Sequence, residues 1–277
     1  MTTIENGSVY HLTEILPGAY RIENSAVHMD LLVGGHHALL FDTGYGFEDL
    51  YAFVRSITDL PLYVVNSHGH VDHAAGNWQF PEVFIHPADV QVCIQHNGRE
   101  MRMAELDTAV VPKDFDLDDY LSHGCGNLRP VGEGDVFDLG GITLEVVELP
   151  GHTAGSIGLL WQEEKILYVG DAVNCFIWLF LPEATKLSTY RNTLYKVRDM
   201  DFESMIQSHE PRVMPRDCLT DYIRLVETMD YEAWPTVDTP LAAPGQEVKI
   251  ITLPGNDLRD AGTPGFAAIM ISREKLD

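Results

Sequence analysis

The stretch Ser67-His68-Gly69-His70-Val71-Asp72-His73 decides how this chain is read. Three imidazoles and a carboxylate fall within the six residues 68–73. The run just before them, Pro61-Leu62-Tyr63-Val64-Val65, is apolar and reads as a buried strand. A strand that ends in a histidine-rich loop anchors one end of these side chains and lets them converge. Neutral imidazole together with carboxylate is the donor set that suits zinc, iron or manganese.

Three later segments repeat the arrangement in weaker form. They are Leu149-Pro150-Gly151-His152-Thr153-Ala154-Gly155-Ser156, Ile166-Leu167-Tyr168-Val169-Gly170-Asp171 and Met205-Ile206-Gln207-Ser208-His209-Glu210. In each, a short apolar segment reaches a small or turn residue and then presents one His or Asp. A sheet places ligands from several strand ends at one rim in this way. Taken singly, each segment reads as an ordinary loop. Their order behind the first motif makes them ligand candidates.

The set HxHxDH, PGHTxGS, GD and SH, in that order over roughly residues 18–215, resembles the metallo-β-lactamase superfamily of metallohydrolases. Within it the chain is most similar to the glyoxalase II-like and lactonase-like branch. The resemblance implies an α/β fold, an αββα sandwich of two mixed sheets with outer helices. It also implies two metal ions, zinc with iron or manganese as alternatives. His68, His70 and His152 would hold the first; Asp72, His73 and His209 the second; Asp171 would bridge them with a water or hydroxide. Asp42, in Leu39-Leu40-Phe41-Asp42-Thr43-Gly44, would orient the HxHxDH loop, as carboxylates behind a metal-bound His do. By its own context Asp42 reads equally well as a turn former before Thr-Gly.

The chemistry expected follows from these ligands. Bound divalent metal lowers the pKa of water, for zinc to about 7, so hydroxide is available at neutral pH. It can attack a carbonyl carbon or a phosphorus while the ions polarise the electrophile and the leaving oxygen. Asp72 can accept a proton in that step, which with Asp171 makes the two carboxylates the catalytic candidates. No GxSxG is present, and Cys93, Cys125, Cys175 and Cys218 form no CxxC.

Composition agrees with a globular metalloenzyme. The chain has 277 residues, 45% hydrophobic and 22% charged. No apolar run approaches the length of a membrane span. The start, Met1-Thr2-Thr3-Ile4-Glu5-Asn6-Gly7, lacks a basic region followed by an apolar core, so a cytoplasmic protein without membrane attachment is expected. The four cysteines are too spread for a disulfide framework. Eighteen Lys and Arg against 42 Asp and Glu give a net charge of −24. That disfavours nucleic acid as a partner and leaves a small molecule as the expected one.

Periodicity predicts strands at 8–12, 19–24, 28–34, 37–42, 62–66, 82–86, 142–149, 156–161 and 165–169. It predicts helices over 47–58, 87–97, 188–199 and 215–230, and further apolar runs at 247–253 and 266–272. One domain over 1–277 is expected, with a cap insertion at 98–130 and a strand-containing extension at 231–277. The segment from Ala172 through Phe180, with Cys175 and Trp178, reads either as an apolar wall of the substrate pocket or as a plain buried stretch. His96 and His123 fall in or beside the cap and are further pocket candidates. Tyr190, Arg191 and Tyr195 open a helix within reach of a substrate, although surface positions of a helix usually do not contact one.

The leading expectation is a dinuclear hydrolase of a small ester, thioester or lactone. Glyoxalase II itself is disfavoured, because the chain after His209 is short and strand-like. Three other readings stand beside it. A phosphodiesterase would gather Arg191, Arg198, Arg212 and Arg216 near the metals. A persulfide dioxygenase would use one iron on His68, His152 and Asp171. A non-catalytic metal-binding protein would have kept only the fold.

Overall fold

The computed structural model describes residues 10–106 and 109–277. They divide into two compact units. One comprises the described residues up to Val147 with Leu159–Glu164, and the other Glu148–Gly158 with Lys165–Asp277.

The first unit is built on a seven-stranded mixed sheet whose spatial order follows the chain. Strands β1 (Tyr10–Leu16), β2 (Ala19–Asn24), β3 (Val27–Val33) and β4 (Ala38–Phe41) form an antiparallel meander. β5 (Leu62–Val65), β6 (Val83–Ile85) and β7 (Leu128–Pro130) then add in parallel. Parallel neighbours need crossovers, and helix α1 (Leu50–Ile57) supplies the one from β4 to β5. The helix starts at Leu50, later than periodicity predicts, because the Asp49 carboxylate accepts from Ala52 N at 2.8 Å and caps it there. Leu50 and Val54 pack with Ile22, Met29, Leu31, Leu40 and Val64. Each such side chain contributes about 1.5–3 kcal/mol on burial. All four residues of β4 are buried, which is why it reads as an unbroken apolar run.

Four short helices follow in this unit: α2 (Val71–Ala74), α3 (Val90–His96), α4 (Arg99–Glu105) and α5 (Leu117–Ser122). The helix expected at 87–97 begins as a tight turn at Pro87–Asp89 and becomes α-helical at Val90. Within 98–130, α4 and α5 are helical and residues 128–130 are β7 of the sheet. β8 (Val136–Asp138) and β9 (Thr143–Glu148) form a hairpin. Its turn is Gly140-Gly141, both at φ +86, a conformation glycine adopts without penalty. β10 (Ile157–Trp161) is divided between the units.

In the second unit, β11 (Ile166–Gly170) pairs in parallel with β13 (Ser204–Gln207), which pairs antiparallel with β14 (Met214–Pro215). The 172–180 segment supplies β12 (Phe176–Leu179). It pairs in parallel with β16 (Ala268–Ser272), which pairs with β15 (Val248–Thr252), so the strands expected near the C-terminus complete a separate three-stranded sheet. Helices α6 (Leu187–Asp199) and α7 (Leu219–Thr228) are tied by the Tyr195 hydroxyl donating to Glu227 at 2.6 Å. Among the described residues no helix is long and apolar enough to cross a membrane.

Candidate metal centre

In the first unit, β5 delivers the chain to the histidine loop, and Asn66 N donates to Phe84 O to hold the last rung. His70 is still extended, at φ −68 and ψ 155. The backbone then makes the single turn of α2, with Ala74 N donating to His70 O at 2.9 Å. That turn carries His73 back over the loop. The His68 and His73 rings come to 4.2 Å, and the His68 and His70 rings to 4.6 Å. Asp72 Oδ2 lies 3.4 Å from His73 Nε2. All three imidazoles are buried.

Asp42 ends β4, the parallel neighbour of β5, so its side chain meets the start of the loop. It sits at φ +68, a left-handed conformation that Asp tolerates better than most residues. Its Oδ1 accepts from Ser67 N at 2.7 Å. Its Oδ2 accepts from Ser67 Oγ at 2.8 Å and from His73 Nδ1 at 2.9 Å. Ser67 Oγ also lies 2.9 Å from His68 Nδ1. The one hydroxyl proton goes to the carboxylate, so His68 Nδ1 must be the donor in that contact. Both His68 and His73 therefore carry the Nδ1 proton and present Nε2 as a lone pair, the form a metal takes.

Residues outside the ligand set brace this loop. Gly69 N donates to Asp89 Oδ2 at 2.8 Å. A Cβ at Gly69 would stand 2.6 Å from Cys93 N and 2.9 Å from Asp89 O, so the loop lies directly on the turn that opens α3. At the far end of α3, His96 stacks on His70 with ring centroids 4.5 Å apart. Beneath, Thr43 Oγ1 donates to Asn77 Oδ1, Asn77 Nδ2 to Asn66 Oδ1, both at 2.7 Å, and Asn66 Nδ2 to His73 O at 3.1 Å. Polar residues this deep hold their places because they satisfy one another. For Thr43 and Asn66 the sequence signal was their place just after the apolar strands β4 and β5.

The second unit carries the other three candidates. His152 sits in a loop clamped by α6: Thr193 Oγ1 donates to Pro150 O at 2.6 Å and Lys196 Nζ to Glu148 O at 2.9 Å. Gly151 is packed so tightly that a Cβ would meet Tyr190 Cδ2 at 2.5 Å. Tyr190 is thus a buried support under the His152 loop, in line with the reading that such helix positions usually do not reach substrate. His152 Nδ1 donates to Trp178 O at 3.0 Å, leaving Nε2 as the lone-pair nitrogen. Asp171 and His209 follow the parallel neighbours β11 and β13, so both emerge at one rim. Asp171 Oδ2 lies 3.2 Å from His209 Nε2 and 3.8 Å from His152 Nε2. The His152 Nε2 lone pair, aimed at the buried Asp171 carboxylate, repels it unless a cation lies between them. The donor set therefore fits a metal ion.

The pocket candidates are placed separately. Trp178 packs its ring against Phe180 at 5.6 Å and against the cluster of Phe180, Val248 and Met270. Its carbonyl is what touches His152. The half-buried Cys175 accepts Ala268 N on its carbonyl, and burial pushes its thiol pKa up. In the first unit, His123 stacks on Trp78 at 3.4 Å and lies 3.2 Å from Asp119. Arg191 faces Asp277, Arg198 pairs with Asp199 and Arg212 with Glu210, while Arg216 donates to the Phe202 carbonyl.

The Metallo-beta-lactamase superfamily family model matches residues 27–210, about two-thirds of the chain. The chain belongs to the metallo-β-lactamase superfamily. Among curated superfamily relatives, an acyl-coenzyme A thioesterase MBLAC2 from Gallus gallus is 33% identical over 156 residues, covering 52% of this chain and 56% of that one. The Homo sapiens protein of the same name is 26% identical over 199 residues, covering 65% and 70%. Hydroxyacylglutathione hydrolase GloC from Haemophilus influenzae is 27% identical over 139 residues, covering 50% and 61%. The match thus spans little more than half the length of the chicken protein. Among solved structures, a metallo-beta-lactamase from Pontibacter korlensis superposes with a TM-score of 0.57 at 18% identity, covering 79% of this chain and all of that one. That likeness supports the mixed α/β metallo-β-lactamase fold.

Proposed function

We propose that this protein is a metal-dependent hydrolase of a small thioester, ester or lactone, with thioesters as the first class to test. One observation carries the reading. Every ligand position of the dinuclear pattern is filled, and each unit presents its share in ligating form: Nε2 lone pairs on His68 and His73 in one, Asp171 between His152 and His209 in the other. In this reading His68, His70 and His152 would hold one ion and Asp72, His73 and His209 a second, with Asp171 a ligand available to either. When bound, the ions supply a hydroxide at neutral pH and polarise the carbonyl.

The protein's own groups do the rest. Asp42 holds the His73 and Ser67 protons and keeps two imidazoles facing inward. The Trp178 carbonyl does the same for His152. Asp72, less buried than its histidine neighbours, takes up the proton released as the carbonyl is attacked. The thioester preference draws on two relatives, whose names denote hydrolases of acyl-coenzyme A and of hydroxyacylglutathione. Zinc, iron and manganese all suit the ligand set.

The test is metal analysis joined to turnover. Two zinc ions per chain, with thiol release from acyl-coenzyme A or an S-acylglutathione, is the expected result. One iron per chain, with oxygen uptake on persulfide and no thioester cleavage, would overturn it.

A further inference from the structure

Cys93 and Cys125 lie together beside the histidine loop. Cys93 is on α3, fully buried, and packs with Ala74 and Ile85, with Cys125 and Leu128 against the same cluster. Packed against one cluster, the two thiols perturb each other's ionisation. Cys93 Sγ also accepts from Asn97 Nδ2 at 3.6 Å and from Asn77 Nδ2 at 3.8 Å. Cys125 is half-buried, on the short connection from α5 to β7, between Gly124 and Gly126. A Cβ at Gly124 would meet nothing within 4 Å, whereas one at Gly126 would stand 3.0 Å from Asn77 O, so the connection lies against Asn77 on one side only.

A buried cation completes the group. Arg102 donates to Asn97 Oδ1 at 2.7 Å and to Ala75 O at 2.9 Å, and its guanidinium lies 4.6 Å from the centre of the Tyr120 ring. Among the causes acting on Cys125, the Cys93 thiol and the positive charge of Arg102 both favour its thiolate and hold its pKa below the usual thiol range. Burial and the neighbouring sulfur keep Cys93 protonated. An accessible, acidic thiol next to a protonated one is the arrangement that oxidises selectively and then resolves to a disulfide.

We propose that Cys93 and Cys125 form a reversible oxidation site, in which a hydroperoxide converts the adjacent thiols to a disulfide beside the histidine loop. The Cys125 thiolate attacks one peroxide oxygen. The O–O bond breaks, hydroxide leaves and takes a proton to become water, and Cys125 becomes a sulfenic acid. Cys93 sulfur then attacks the Cys125 sulfur. The S–O bond breaks, and the departing hydroxide takes the Cys93 proton as a second water. Two thiols lose two electrons and two protons in all, and the peroxide accepts them. The new bond takes Cys93 Sγ out of its contacts with Asn77, the residue that braces Asn66 and, through it, His73.

The experiment treats the reduced, full-length protein with one equivalent of hydrogen peroxide, alkylates what remains and maps tryptic peptides without reduction. Arg99, Arg102 and Lys113 lie between the two cysteines, so their peptides separate unless cross-linked. The expected result is a Cys93–Cys125 linked peptide, reversed by dithiothreitol, with Cys175 and Cys218 alkylated. In Cys93→Ser the sulfenic acid should persist on Cys125 and react with dimedone. Full alkylation of Cys93 and Cys125 after peroxide, or over-oxidation of Cys125 with no link in the wild-type protein, would overturn the proposal. The wild-type map decides the matter even if a variant does not fold.

Discussion

His73 Nδ1 donates to Asp42 Oδ2 at 2.9 Å, across a buried contact between residues 31 positions apart. The same oxygen receives the Ser67 hydroxyl, so one carboxylate sets the protonation of two imidazoles. Replacing Asp42 by Asn keeps the shape and tolerates the positive φ, but removes the acceptor that holds the Nδ1 proton. Metal affinity should fall 10–100-fold, the usual effect of losing such a partner. Competition with a chromophoric chelator measures this, and an unchanged affinity would refute the orienting role.

Asp171 is the carboxylate shared by His152 and His209. Asp171→Ala should strip metal from at least one site and abolish hydrolysis. Removing metal from the wild-type protein with a chelator should lower its melting temperature, and added zinc should restore it, because an ion that binds only the folded state stabilises by mass action. Near wild-type turnover in Asp171→Ala would sink the mechanism.

Two glycines are steric requirements of the loops. Gly69→Ala sets a methyl 2.6 Å from backbone nitrogen, which cannot step aside. About 1–3 kcal/mol of destabilisation is expected, by urea unfolding. Gly151→Ala instead meets the Tyr190 ring, at 2.5 Å. Its cost should shrink in a Tyr190→Ala background, and a double-mutant cycle reads that coupling. Additive costs would show that the ring is not the obstacle.

Asp30 gives a pH dependence of stability. It is buried opposite Arg21 on β2, with Nε to Oδ1 at 3.0 Å. Burial raises its pKa to about 6, Arg21 opposes the rise and the Asp42 charge adds to it. An unfolded Asp titrates near 3.9, so the folded state holds this proton more tightly. Its contribution is therefore full below about pH 4 and is lost as pH rises through about 6. Wild-type stability should fall relative to that of Asp30→Asn over that window. A difference that stays constant from pH 4 to 7 would contradict the raised pKa.

Much of the fold was legible because strands and helices announce themselves locally. β2 lies at Ala19–Asn24 as its alternation predicts, and α6 at Leu187–Asp199 within one residue of expectation. α2 was not legible, since a four-residue turn among ligands has no period to detect. Nor was Tyr190, whose helical spacing suits a surface or a core position equally and whose burial depends on Gly151 arriving above it.

The amino-acid order by itself determined which donors exist, that they stand at the ends of apolar segments, and the sequence in which they come. Only the tertiary structure decided that Asp42 holds His73, that Asp89 holds Gly69 and that Cys93 meets Cys125. The reason is physical. Donor chemistry and periodicity belong to neighbouring residues. A hydrogen bond across 20 or 31 positions exists only once strand pairing and crossover helices bring the two ends together.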